Sequence, residues 1–244
     1  MAKQPLPLFY TRPRLLKADS DTDLSLSAVL NYGFAAKTNS VPLNGVELAI
    51  ASKDYPIVFA GSDVNIPVAL LGFRADRNEF VESDGQWSSG VYVPAYVRRY
   101  PFIFLESPSS DTFALCIDEA APSVKTGRDN PLFINGQPTD VTKRALEFCQ
   151  AYQGHHRTTA EFCAAVASAG LLEERRADIA MASGEKLSLN GFRVIDEAKF
   201  NALPDDVFLQ WRAKGWVQLV YCHLLSMNNW GRLIDRTARA GVAA

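Results

Sequence analysis

Apolar and polar positions along the chain follow two rhythms, and the change falls near residue 139. From Gly45 the runs VELAIASKD, YPIVFAG and IPVALLGFR are short and separated by Lys-Asp, Gly-Ser-Asp and Asp-Arg-Asn. Short runs rich in valine, isoleucine and phenylalanine, punctuated by turn residues, predict strands. NEFVESDGQW adds another, ending in the turn signal Asp84-Gly85. PFIFLES and TFALCID read as neighbouring strands joined through SPSSD, and PLFINGQP closes this half with an Asn-Gly turn. Residues 1–24, with three prolines and the acids Asp19, Asp21 and Asp23, read as an irregular lead-in.

After Thr139 the period becomes 3.6. Val141, Ala145, Phe148, Cys149 and Tyr152 fall on one stripe, which Gly154 is expected to end. Thr158 and Glu161 have capping-box spacing and predict a second helix, closed by Gly170. LLEERRADIAMASGEK reads as a charged connector with a further partial helix, and KLSLNGFRVIDE as a strand or hairpin around Asn190-Gly191. LPDDVFLQWRAKG predicts a helix with Pro204 near its start, acids in its first turn and Gly215 past its end. WVQLVYCHLLSMNNWGRLIDR places Trp216, Val220, His223, Met227 and Leu233 at helical spacing and reads as a buried helix. Strands first and helices afterwards predict an α+β fold, a strand-rich N-terminal half packed against a helical C-terminal half. We read residues 1–244 as a single domain, with 25–138 and 139–236 as subdomains around a shared core.

Composition narrows the function classes. Hydrophobic residues at 48% and charged residues at 21% describe a globular chain rather than a disordered one. A formal charge of -2 removes the electrostatic support for nucleic-acid binding. No stretch approaches the ~20 apolar residues of a membrane span, and prolines and charges interrupt the first twenty residues. The expectation is therefore a cytoplasmic protein without a membrane span. The four cysteines are widely spaced without a CxxC pair, so buried free thiols are expected. Neither GxGxxG nor GxxxxGK[ST] occurs, so nucleotide-dependent classes drop away, and any cofactor is left open.

The densest chemistry lies between Gly85 and Glu106, where Trp87, Tyr92, Tyr96, Tyr100, Phe102 and Phe104 surround the adjacent Arg98 and Arg99. Pro94 favours a short helical turn, PAYVRRY, ended by Pro101, with Tyr96, Arg99 and Tyr100 on one face. Guanidinium groups bind carboxylate or phosphate bidentately and stack on tyrosine faces. Tyr92, Tyr96, Arg98, Arg99 and Tyr100 are therefore the candidate ligand-binding residues. The competing reading pairs an arginine with an internal acid, Glu106 or Glu79, while the aromatics fill the core. His223 and Ser226 are neighbours one turn apart, but without an orienting acid a hydrogen-bonded buried histidine is the stronger reading. His155 and His156 read as exposed loop residues, because a metal needs three or four convergent ligands. Asp118 and Glu119 read as a solvated strand end.

Several blocks together carry a likeness to a known family. YPIVFAG at 55–61, NEF with DGQW at 78–87, YVPAYVRRYPF at 92–102, PLFINGQPT at 131–139 and NGFRVIDEAKFNALPD at 190–205 resemble the bacterial SapC family, in matching order over about 30–234. The family takes its name from a protein linked to a paracrystalline surface layer. The resemblance brings neither a reaction nor catalytic residues. The expectation is a non-catalytic accessory or binding protein that recognises an anionic small molecule, a peptide or a partner protein through the aromatic–arginine region. Two alternatives stay open. One is an enzyme acting on a peptide or amino-acid derivative, through His223 or through Arg98 and Arg99 with Asp118. The other is a surface-layer structural protein. The oligomeric state is left open.

Overall fold

The computed structural model describes residues 6–29, 31–61, 65–106, 113–181 and 184–242. The strands are β1 (Pro13–Leu15), β2 (Leu24–Leu26), β3 (Ser40–Pro42), β4 (Ile57–Ala60), β5 (Ile66–Leu70), β6 (Phe102–Glu106), β7 (Phe113–Asp118), β8 (Val124–Thr126), β9 (Phe133–Ile134), β10 (Gln137–Pro138), β11 (Leu172–Ala180) and β12 (Lys186–Ile195). The α-helices are α1 (Leu48–Ala51), α2 (Ala95–Arg99), α3 (Asp140–Ser168), α4 (Glu197–Asn201), α5 (Asp205–Ala213), α6 (Trp216–Ser226) and α7 (Trp230–Val242). The fold is α+β, strand-rich in the N-terminal half with helices mostly in the C-terminal half. None of the described helices is long and apolar enough to cross a membrane.

A five-stranded sheet runs in the order β11-β12-β4-β5-β3, and a three-stranded sheet in the order β1-β7-β6. β4 and β5 pair antiparallel, with Ile57, Val58, Phe59, Val68, Ala69 and Leu70 all buried. Coverage on both faces is why these strands read as unbroken apolar runs rather than as an alternation. Phe59 joins Phe162, Phe200, Trp211 and Val220 in a cluster with the C-terminal helices, while Ile57 and Val58 belong to the larger core. The Asn-Gly turn joins β9 to β10, with Asn135 and Gly136 both at positive φ (51° and 74°). Such angles are what a two-residue hairpin turn requires.

NEFVESDGQW holds only an isolated bridge between Val81 and Trp87, and the single buried helix expected from Trp216 is two, α6 and α7, separated by a 3-10 turn at Met227–Asn229. Four further segments differ from the sequence expectation. The lead-in is not wholly irregular, because Pro13–Leu15 pairs antiparallel with Asp118–Cys116 of β7. VELAIASKD is not a strand but a 3-10 turn, Gly45–Glu47, running into α1. The Glu47 carboxylate reaches back to the Asn44 amide at 2.8 Å, which supports a helical start. The two helices expected over 140–170 are one helix, α3. Thr158 and Thr159 hydrogen-bond back to the His155 carbonyl instead of capping, and nothing lies within 4 Å of where a Gly154 Cβ would stand. Gly170 does terminate α3, with the Leu171 and Gly170 amides bonded to the Val166 and Ala167 carbonyls. Finally, the charged connector contains no helix among its described residues. Residues 172–180 form β11, whose hairpin with β12 is interrupted where Asn190 and Gly191 fall opposite Arg176. Gly191, at φ 75°, absorbs this bulge, so Asn190-Gly191 lies inside a strand rather than at a hairpin tip.

Candidate functional site

Two prolines bound the short helix at the centre of the site. Pro94 caps α2 from an extended conformation, and Tyr100 is again extended before Pro101, which confines the helix to five residues. The first amide, Ala95, donates to Glu47 Oε1 at 2.7 Å, so this helix end is paired internally. Ala95, Tyr96, Val97 and Arg99 are buried, whereas Arg98 faces outward. Facing α2 is the stripe of α3 that includes Phe148, Cys149 and Tyr152, and Tyr152 joins Ala95 and Tyr96 in one cluster.

Arg99 is 9% exposed. Its guanidinium carbon lies 4.7 Å from the ring centre of Tyr96, 4.4 Å from that of Tyr152 and 5.8 Å from that of Tyr10. Burial holds these three phenols above their ordinary pKa despite the pull of Arg99, so they are neutral neighbours and not counter-ions. Among the described residues no carboxylate comes within 4.0 Å of Arg99. Its Nε is buried without a hydrogen-bond partner. The neighbouring Cys149 thiol is pushed up to about 11 by burial, with Arg99 pulling the other way.

Arg98 and Tyr92 form a separate pair. The Arg98 guanidinium packs over Tyr92 (5.6 Å) and Phe148 (5.2 Å) and donates to the Val93 carbonyl at 3.0 Å and to Tyr92 Oη at 3.1 Å. Tyr92 Oη in turn donates to the buried Glu47 carboxylate at 3.0 Å. Glu79, one of the acids weighed as an arginine partner, pairs instead with Arg74 and Arg77; of the Glu106 side chain nothing is described. Tyr100 donates to Asp118 at 3.3 Å, and its ring lies 4.3 Å from that of Phe34.

These residues border a cavity of about 470 Å³. Arg98, Arg99 and Arg144 line it and no acid does among the described residues, while Phe34, Phe102 and Phe148 supply apolar wall. Arg98, Arg99 and Tyr100 of the five sequence candidates line this cavity; Tyr96 packs behind Arg99, and Tyr92 borders a smaller cavity of about 210 Å³ beside Glu47. Sequence reasoning missed Tyr10, Arg144 and the role of Tyr152. The α3 stripe was the available signal for Tyr152; nothing local marks Tyr10.

The other candidates lie apart from this cavity. His223 is 0% exposed. Its Nε2 accepts the Ile195 amide at 3.0 Å, and Ser226 Oγ accepts the Ile57 amide at 3.0 Å, so both brace the sheet–helix contact. Asp118 is not a solvated strand end but a buried carboxylate. It accepts the amides of Thr11 (2.9 Å), Arg12 (2.9 Å) and Ala120 (3.2 Å). Burial alone would raise its pKa, yet those amides and Tyr100 hold it below the ordinary carboxylate value. His155 and His156 are exposed, on α3 rather than in a loop. Among the described residues there is no group of three or more His, Cys, Asp or Glu able to hold a metal.

A family model described as SapC matches residues 16–233 of the chain. No curated protein and no solved structure gives a match.

Proposed function

The chain belongs to the SapC family, and from that premise we propose that it is a non-catalytic binding protein whose 470 Å³ cavity takes a small organic anion. One observation carries this reading, the buried guanidinium of Arg99 with its unpartnered Nε and no carboxylate beside it. A buried charge is retained at a cost of several kcal/mol unless something compensates it. Tyrosine faces compensate in part, by roughly 0.5–2 kcal/mol each. An anion entering the cavity would supply the rest, and Arg98 and Arg144 would draw it in. The enzymatic alternative has less support, since His223 is sealed in the core and Asp118 is consumed by backbone amides.

The test is native mass spectrometry of protein gently purified from its own host, for wild type and Arg99→Met. We expect a small organic anion to accompany the wild type and to be absent from the variant. A wild-type protein that carries nothing, and whose melting point no small anion raises at millimolar concentration, would refute the reading.

A further inference from the structure

The residues around Arg99 also restrict which organic anion fits, an argument that rests on the binding reading above. Three features bear on the choice. The first is the guanidinium itself. Tyr96, Tyr152 and Tyr10 lie against it and its Nε is sealed without a partner, so a ligand meets Arg99 only where the side chain lines the cavity. A planar carboxylate is the small anion that matches a planar guanidinium. The second is the amount of buried charge. Arg99 is the buried cation of the cavity, and Arg98 and Arg144 are exposed. One buried positive charge matches one negative charge; a phosphate dianion would leave a second charge in an apolar setting, where uncompensated charge is strongly disfavoured. The third is the wall. Phe34, Val97, Phe102 and Phe148 offer apolar surface far beyond what a bare ion would cover. The volume of about 470 Å³ lies within the ordinary range for small-molecule sites.

We propose that the ligand is an amphipathic monocarboxylate, its single carboxylate paired with Arg99 where that residue lines the cavity and its hydrocarbon or aromatic body along Phe34, Phe102 and Phe148. Neither a sugar phosphate nor an amine matches that combination.

Isothermal titration calorimetry on the full chain separates the possibilities with octanoate, octan-1-ol, octylammonium and inorganic phosphate as probes. Octanoate should bind one to one, and at least tenfold more tightly than octan-1-ol, the ratio expected from charge-assisted hydrogen bonds of ~1.5–3 kcal/mol. Octylammonium and phosphate should not displace it. Arg99→Met should abolish the octanoate preference over octanol. Because an unpaired buried cation is being removed, the apo variant should melt no lower than wild type. Ala145→Phe, which places a ring in the cavity wall from α3, should block octanoate as an independent check that needs no change at Arg99. Octanol binding as tightly as octanoate would overturn the carboxylate assignment. Phosphate displacing octanoate, or binding where octanoate does not, would overturn the ligand class while leaving the anion reading intact. No heat with any of the four probes, together with no co-purifying anion, would remove both.

Discussion

Replacing Asp118 by asparagine probes how the cavity is held together. The carboxylate accepts the Thr11 and Arg12 amides at 2.9 Å, Ala120 at 3.2 Å and the Tyr100 hydroxyl at 3.3 Å. An asparagine of the same shape keeps one oxygen acceptor and turns an amide N–H₂ toward backbone donors. At least one charge-assisted bond of ~1.5–3 kcal/mol is lost, and a buried donor left unpaired adds ~1–3 kcal/mol. The combined loss is about 3–5 kcal/mol, or about 6–20 °C in melting temperature for a chain of this size. The pH dependence has a definite sign. The folded carboxylate titrates below its ordinary value, so its contribution is present above about pH 4 and is lost as pH falls through the folded pKa. Wild type and Asp118→Asn should therefore differ by a constant amount from pH 5 to 8 and converge below about pH 4. Calorimetric melting over that range is the assay. A variant melting within about 2 °C of wild type at pH 7 would show that these amide bonds contribute less than ~1 kcal/mol net.

Two further outcomes follow from other elements. Burial pushes His223 down to about 4, so the unfolded chain takes up its proton first as the solution is acidified. Stability should fall between about pH 6.5 and pH 4 by on the order of 3 kcal/mol, and His223→Asn should flatten that slope in denaturant titrations. Gly154→Ala places a methyl group in open space within α3 and should raise stability by about 0.5–1 kcal/mol; a fall in melting temperature would mean that the helix is bent or packed there.

The elements legible in the sequence are those fixed by local chemistry. β4 and β5 show as apolar runs because both faces are covered, α2 because Pro94 and Pro101 fence it, and the end of α3 because Gly170 must be left-handed. The misread elements depend on distant partners or on modest local terms. β1 exists through pairing with β7, about a hundred residues away, and has no signal of its own. Gly154 disfavours helix by only ~1 kcal/mol, which the packing of Cys149, Tyr152, Phe162 and Val166 outweighs. β11 carries Glu173, Glu174, Arg175 and Arg176 in succession, a charge pattern that hides its pairing with β12. At the candidate site, the clustering of Arg98 and Arg99 with aromatic residues was visible from composition and spacing. That Arg99 alone is buried, among Tyr10, Tyr96 and Tyr152, depends on three segments meeting in space.

The tether between Thr11 and Asp118 also fixes an order in time. The two residues are 107 positions apart, so at typical synthesis rates of about 5–20 residues per second roughly 5–20 s separate their appearance. For 92 positions Tyr10 has no Phe102 carbonyl to dock against, and β7 follows only after that. Tyr152 comes later still. The earliest part of the wall around Arg99 thus waits for its neighbours as the chain emerges.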